Sequence, residues 1–311
     1  MYDLSNVPDL ISLPVAIPAR SRHAVCKRPL RAGSDDPDPR LKPLEPLWTG
    51  LETPVLPDPD EIEACLADEV PQMAAFAAWL AGELAVARLA AVPLCSLPPI
   101  LLHGPPGIGK TWLARRIAEL LSLPFRLVNL ASSSDTRTLM GTSAGYATGA
   151  ASLPVQLMAA TRCRSPAIIL DEVDKGARGS SNGAWVDGLL PFLERVSSRN
   201  LLDEFLMTEV DVSAVNWIST ANRIEAIPRP LLSRFACFEM TRLPTARPED
   251  LFAPALRSLA ADLGMAAGDL GDLLAPAITD GIPLPPNPTI RDARAALRSA
   301  LGAHLRNIVL N

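Results

Sequence analysis

Ile100-Leu101-Leu102-His103-Gly104-Pro105-Pro106-Gly107-Ile108-Gly109-Lys110-Thr111-Trp112-Leu113, continued as A-R-R-I-A-E-L-L to Leu121, is the stretch that decides the fold. A short apolar run, Ile100 to Leu102, enters a glycine-rich loop, and a helix-periodic segment with Leu113, Ile117, Leu120 and Leu121 on one side follows directly. Strand, glycine loop and helix in this order are the context that a phosphate-binding P-loop requires. Glycines at 104, 107 and 109 let the backbone turn its N–H groups inward, and the helix that begins near Lys110 aims its positive end at the same point. A polyphosphate is the natural occupant, wrapped by Gly104, Pro105, Pro106, Gly107, Ile108, Gly109, Lys110, Thr111 and Trp112. Lys110 is predicted to reach the β- and γ-phosphates and the Thr111 hydroxyl to bind the magnesium ion that bridges them. The alternative, a Gly/Pro turn that only joins a strand to a helix, accounts less well for every fixed position being filled between correct flanks.

The 311 residues, 48% of them hydrophobic, suffice for a full core and for two domains plus extras. A net charge of -5 exerts no overall pull on nucleic acid or on an anionic membrane, so neither is an expected partner. Cys26, Cys65, Cys95, Cys163 and Cys237 are scattered, without a C-x-x-C pair or a histidine at ligand spacing. They read as reduced thiols of a cytoplasmic chain. Asp3 and Asp9 interrupt any secretory signal, and Glu83, Arg88 and three prolines break the apolar stretch 73–102 too often for a membrane span.

Residues 1–59 hold 11 of the 31 prolines with no sustained period, which predicts an extended or poorly ordered arm. Its basic cluster, Arg20, Arg22, Lys27, Arg28 and Arg31, adjoins Asp35, Asp36 and Asp38 and reads as a solvated patch. Helices are predicted over 60–69 and 72–91, the second with Met73, Phe76, Ala77, Leu80 and Leu84 along one core-facing stripe. After the P-loop helix, F-R-L-V-N-L at 125–130 is a second strand. Ser132 to Asp135 supplies helix-capping chemistry, and 140–152, rich in glycine and small residues, is predicted as a mobile loop. A helix around 155–161 leads to a third strand, 167–170, apolar throughout as befits burial on both faces.

That strand ends in Asp171-Glu172-Val173-Asp174-Lys175, 61 residues beyond Lys110. Asp171 is placed to hold the magnesium ion and Glu172 to orient and help deprotonate an attacking water. Helix capping is the structural alternative for this pair. A fourth strand, 215–220, ends at Ala221-Asn222, where the amide is suited to the attacking water or γ-phosphate, or simply to a turn. A last strand, 236–240, follows. Alternating strands and helices imply right-handed crossovers and a parallel five-stranded sheet flanked by helices. From Pro244 strand signals stop, and helices over 249–263, 268–279 and 289–306 predict a small C-terminal helical domain.

P-loop, acidic strand end, Asn-bearing strand and arginine-bearing turn, in this order, resemble an AAA+ ATPase. More narrowly, I-L-D-E-V-D-K at 169–175, L-D-E-F-L at 202–206 leading through Val212-Ser213 to Thr220-Ala221-Asn222, and Ile227-Pro228 with Pro230-Leu231-Leu232-Ser233-Arg234 resemble the ATPase module of Lon-type proteases over about residues 95–308. The resemblance implies an α/β P-loop NTPase domain over 60–243, including the leading helices, and a helical lid over 244–311. It implies ATP and Mg2+ as cofactors and a homo-oligomeric ring, a hexamer in the family. Catalytic roles fall to Lys110, Glu172, Asn222 as sensor 1 and Arg234 as the finger offered to a neighbouring subunit, with Arg229 close enough to compete. Arg291, in T-I-R-D-A-R, corresponds to the sensor 2 arginine. Tyr146 and Ala147 fall where the family grips substrate in the central pore, although Ala147 and Thr148 are smaller than, or different from, the apolar residue and glycine usual there. No lysine follows Lys175, so the Ser-Lys dyad of these proteases cannot be built downstream in this chain and no peptidase activity is expected from it.

The reading that follows is an ATP-driven remodeller or translocator of a protein substrate. The alternatives are an ATP-dependent switch or adaptor in a regulatory or defence system and a DNA-associated remodeller, the latter opposed by the acidic balance.

Overall fold

The computed structural model describes residues 11–12, 22–33, 38–90, 94–131, 137–176, 183–242, 248–285 and 288–309. Its centre is a sheet of five parallel strands: β1 (Ile100–His103), β2 (Phe125–Asn129), β3 (Ala167–Asp171), β4 (Asn216–Ala221) and β5 (Ala236–Glu239). The five strands are parallel, as the sequence predicted; their spatial order is β2-β3-β4-β1-β5, with His103 opposite both Ala221 and Glu239. A two-residue strand, Ile11–Ser12, adds antiparallel to the free edge of β2. It is too short to carry a readable period.

Side chains of successive strand residues go to opposite faces, and the core divides accordingly. Ile100 and Leu102, Ala167 and Ile169, and Ile218 enter one apolar cluster; Leu101, Ile168, Leu170 and Trp217 enter another. The first cluster is closed by α1 (Pro59–Glu69), α2 (Ala74–Arg88) and α3 (Lys110–Leu120), which contribute Leu66, Phe76, Leu80, Leu113 and Ile117. The second is closed by α4 (Leu153–Thr161) and α5 (Gly183–Leu193), through Val155, Met158 and Leu189. Because both faces are covered, β3 and β4 can be apolar at nearly every position, and all six residues of β4 are buried. Asp58 starts α1 by accepting the Asp60 N–H at 3.0 Å, and a 3-10 turn, Pro71–Met73, leads into α2. The helix α5 and a hairpin of Leu201–Asp203 with Thr208–Val210 were not read from the sequence.

Helices α6 (Phe252–Leu263), α7 (Ala267–Asp280) and α8 (Ile290–Val309) enclose a third cluster with Leu259, Leu270, Leu274 and Leu297 at its centre. The lid touches the body through Arg257, which donates to the Glu69 backbone carbonyl at 3.2 Å. Glu69 is itself gripped by Arg116 of α3, at 2.9 Å from Nε and 2.7 Å from Nη2. Burial works to raise the Glu69 carboxyl and the Arg116 fork outweighs it, leaving it below the usual carboxylate value.

The expectation of an extended arm over 1–59 does not hold from Asp38 onward. A 3-10 helix, Pro39–Leu44, and a short helix, Pro46–Thr49, pack on the second face. They bury Leu41, Leu44 and Leu47, and Leu51 follows them into the same cluster. Those leucines recur every three or four residues. Pro39 and Pro46 masked the pattern, yet proline is tolerated in a helix's first turn, where the missing N–H has no partner to lose. The segment read as a mobile loop is pinned at its neck, where Thr142 and Ala150 exchange backbone bonds of 2.8 and 3.2 Å. Arg20, Asp35, Asp36 and the serine run 132–135 lie outside the described residues.

Because Leu47 is fully enclosed, Leu47→Ala should destabilise the protein by about 2–5 kcal/mol in urea unfolding. A loss under about 0.5 kcal/mol, as at a solvated surface, would show that this segment does not pack on the body.

Candidate functional site

The predicted phosphate-binding loop, 104–112, and the acids Asp171 and Glu172 lie at the C-terminal edge of the parallel sheet, in the crevice where strand order places β1 between β4 and β5. The loop 104–109 leaves β1 there. A Cβ at Gly104 (φ +145°) would lie 2.2 Å from the Met240 carbonyl oxygen, so only glycine lets the loop pass the end of β5. Leu113 N–H is the first of α3 to bond back, to Gly109 O at 2.8 Å. The N–H groups of Lys110, Thr111 and Trp112 therefore belong to the first turn, which has no intrahelical partners of its own. These donors, with the helix dipole behind them, form an anion cradle. The Trp112 ring rests against the apolar cluster below, so what this residue offers the loop is its backbone.

Lys110 is 7% exposed. Its ammonium donates to Gly104 O at 2.8 Å, Pro105 O at 2.7 Å and Asn222 Oδ1 at 2.9 Å. Burial drives its pKa down to about 8; Asp171, Asp174 and Glu172 oppose this, and Arg291 adds to it. An anion beside it would restore the charged form. The start of α8 lies over the loop: a Cβ at Gly107 would come 3.2 Å from Thr289 Oγ1, and one at Gly109 would come 3.6 Å from the Ile290 side chain. Thr289 and Asp292 cap α8 reciprocally, the Thr289 hydroxyl donating to Asp292 at 2.7 Å, and this fixes Arg291 at the helix entry. The hydrogen bond from Thr289 holds the Asp292 carboxyl below its usual value.

Asp171 Oδ1 accepts the Thr111 hydroxyl at 2.9 Å. The Thr220 hydroxyl also donates to that oxygen and receives the Glu172 N–H at 3.1 Å. One hydroxyl from β4 thus holds the Asp171 carboxylate at the end of β3 and the backbone of Glu172 just after it. A threonine hydroxyl beside a carboxylate is a hard-oxygen set suited to Mg2+, which takes few protein ligands and completes its shell with phosphate oxygens and water. Glu172 has φ +60°, a left-handed backbone that costs a non-glycine residue about 1 kcal/mol or more and gathers at functional sites. Its carboxylate is held by Lys175 at 2.6 Å. Asn222 receives support from behind, its N–H donating to the buried Asp174 at 3.1 Å.

The fold therefore brings together Gly104 to Trp112, Asp171, Glu172, Asn222 and the start of α8, whose first turn carries Arg291. Arg234 is not joined to them by any hydrogen bond or ion pair among the described residues. It pairs with Glu194 at 2.6 Å and caps its own short helix, Arg229–Leu232, through Pro230 O. Arg229 is exposed. Tyr146, 68% exposed, and Ala147 project at the tip of the pinned turn. Thr220 and Asp174 were missed as functional groups; their signal was a hydroxyl inside a fully buried strand end, beside Ser219, and a further acid two residues after the first pair.

Thr220→Val removes the hydroxyl that serves Asp171 and Glu172 together. Loss of such an outer partner should raise the Mg2+ concentration needed for nucleotide uptake by about 10–100-fold, read in a fluorescent-nucleotide titration. An unchanged requirement would show that Thr220 does not orient Asp171 toward a metal.

Residues 100–243 match the ATPase family associated with various cellular activities (AAA). Curated relatives include proteins named Lon protease homolog, mitochondrial. That of Saccharomyces cerevisiae is 33% identical over 142 residues, 46% of this chain and 12% of the yeast protein. That of Drosophila melanogaster is 34% identical over 142 residues, 46% of this chain and 14% of the fly protein. That of Mus musculus is 36% identical over 135 residues, 43% of this chain and 14% of the mouse protein. The similarity thus spans about an eighth of the length of those relatives. No helix among the described residues is long and apolar enough to cross a membrane. With the P-loop, the two acids and the parallel sheet in place, residues 100–243 have the α/β P-loop NTPase fold, match the AAA family and are similar to Lon protease homologues.

Proposed function

We propose that the chain hydrolyses ATP in a Mg2+-dependent reaction within a homo-oligomeric ring, with six subunits as in the family it resembles, and uses the cycle to remodel or translocate a polypeptide. The observation that carries this reading is the Lys110, Asn222 and Asp171 constellation, drawn from the start of α3 and the ends of β4 and β3 to one strand edge beneath the lid. Bound Mg2+ would neutralise and align the β- and γ-phosphate oxygens. Lys110 exchanges its two loop carbonyls for those oxygens, and the first-turn N–H groups of α3 hold the rest of the chain of phosphates. Thr111 and Asp171 would hold the metal. Glu172 leaves Lys175 to orient the attacking water, while Asn222 reports the γ-phosphate to Asp174 and the β3 end. Arg291 carries the state of the site into the lid, since it stands in the first turn of the helix whose start lies on the loop.

Arg234 completes the neighbouring site in this reading, and to do so it exchanges Glu194 for the neighbour's γ-phosphate. A trans arginine of this kind contributes about 10³–10⁵ in rate, so turnover depends on assembly. Tyr146, exposed on a turn that has no packing use for an aromatic, is the group that engages the polypeptide. The small Ala147 and Thr148 beside it favour a second reading, an ATP-dependent switch or adaptor that orders a partner without pulling on it.

Glu172→Gln should keep nucleotide affinity while lowering turnover about 10²–10⁴-fold; normal turnover would remove Glu172 from the role of water-orienting base. Arg234→Ala alone should be equally inactive, but an equal mixture of the two variants should recover activity, because intact sites form where a Glu172→Gln subunit lends its arginine to an Arg234→Ala neighbour. A mixture no more active than its components would refute a shared site.

A further inference from the structure

The Tyr146 turn is not held by its own strand neighbours alone. Its tip is stitched by Tyr146 N–H to Ser143 O at 3.2 Å and Gly149 N–H to Tyr146 O at 2.9 Å. Its base is tied by Ser152 N–H to the buried Asp203 of the hairpin, at 2.9 Å. Between tip and base stands a side chain more than a hundred positions earlier. Arg40 Nη1 donates to Tyr146 O at 3.1 Å and Arg40 Nη2 to Ala144 O at 3.2 Å.

The Arg40 fork is itself aimed. Asp38 takes Nε at 3.0 Å and Nη2 at 2.8 Å, and the guanidinium carbon lies 5.2 Å from the centre of the Phe205 ring. Phe205 is buried at the tip of the hairpin, where Asp203 accepts its N–H at 3.1 Å. The planar guanidinium thus meets a carboxylate, two carbonyls and an aromatic face at once, which a lysine ammonium cannot reproduce. The element that carries Arg40 is anchored by Leu41, Leu44 and Leu47 in the core, so the clamp has a fixed base.

We propose that Arg40 is a positioning residue for the Tyr146 turn: the 38–51 segment reaches across from the body and sets the angle at which the tyrosine is presented to a polypeptide. The substrate half of this proposal rests on the remodelling reading above. The clamp itself does not. Without Arg40 the Ala144 and Tyr146 carbonyls turn to water, the turn samples other conformations, and each encounter with a polypeptide must first order it.

The test uses the full chain and Arg40→Ala, Arg40→Lys and Tyr146→Ala. Amide exchange over 142–150 reads the clamp. ATP turnover, with and without reduced, carboxymethylated lactalbumin as an unfolded probe, reads its use. Charge-assisted hydrogen bonds of this kind imply about tenfold faster exchange in Arg40→Ala, with Arg40→Lys intermediate because it keeps the charge and loses the fork. The polypeptide concentration for half-maximal stimulation should rise about fivefold to tenfold while unstimulated turnover stays as it was, a pattern that a general loss of folding would not produce. Unchanged exchange overturns the clamp. Faster exchange with stimulation weakened by Tyr146→Ala but not by Arg40→Ala overturns the positioning role alone. Faster exchange with stimulation indifferent to both variants overturns the remodelling reading, and the presentation of the tyrosine to a polypeptide falls with it.

Discussion

A lysine ammonium almost wholly removed from water, held by two loop carbonyls and one amide oxygen, is the constraint on which the rest of this molecule depends. A buried cation is costly unless hydrogen-bonded and near opposite charge, and Lys110 meets both conditions only in the assembled fold. Its carbonyls come from the loop after β1, its amide from the end of β4, and the nearby acids from the end of β3. These reach one place because β1 lies beside β4 and β4 beside β3. Burial outweighs those acids and leaves the lysine's pKa below its usual value, a cost that a phosphate beside it would offset.

The same economy appears around the acids. Thr220 serves two of them with one hydroxyl, Asp174 backs Asn222, and the left-handed backbone at Glu172 is kept in place by a bond to that threonine. These partners form no part of the cradle's surface, yet they fix the orientation of the groups that do. Position within about half an ångström is what such sites need. It is obtained here from strand ends, the stiffest elements available, while the groups expected to act between subunits, Arg234 and Tyr146, sit on short helices and turns at the periphery.

The residues 38–51 show how an element can be structural without looking so. Their prolines depress any measure of helical pattern, but their leucines fill the second face of the sheet, and their arginine and aspartate reach the exposed turn. Burial of those leucines supplies the stability, and the polar pair uses the resulting fixed position.

Much was legible in the chain alone. Glycine spacing, a lysine-threonine pair and apolar runs of four to six residues are local signals, and they determined the P-loop, the acidic strand end, the parallel sheet and the helical character of the C-terminal part. Such features depend on backbone conformation and on periods of two or 3.6, which a sequence states directly. The strand order, the sharing of Thr220, the self-pairing of Arg234 with Glu194 and the grip of Arg40 on a turn 106 positions away were decided only by the tertiary structure. Each joins residues far apart in the chain, and a single sequence carries no period or spacing from which a contact of that range can be read; it exists only once burial of both sheet faces has brought the segments together.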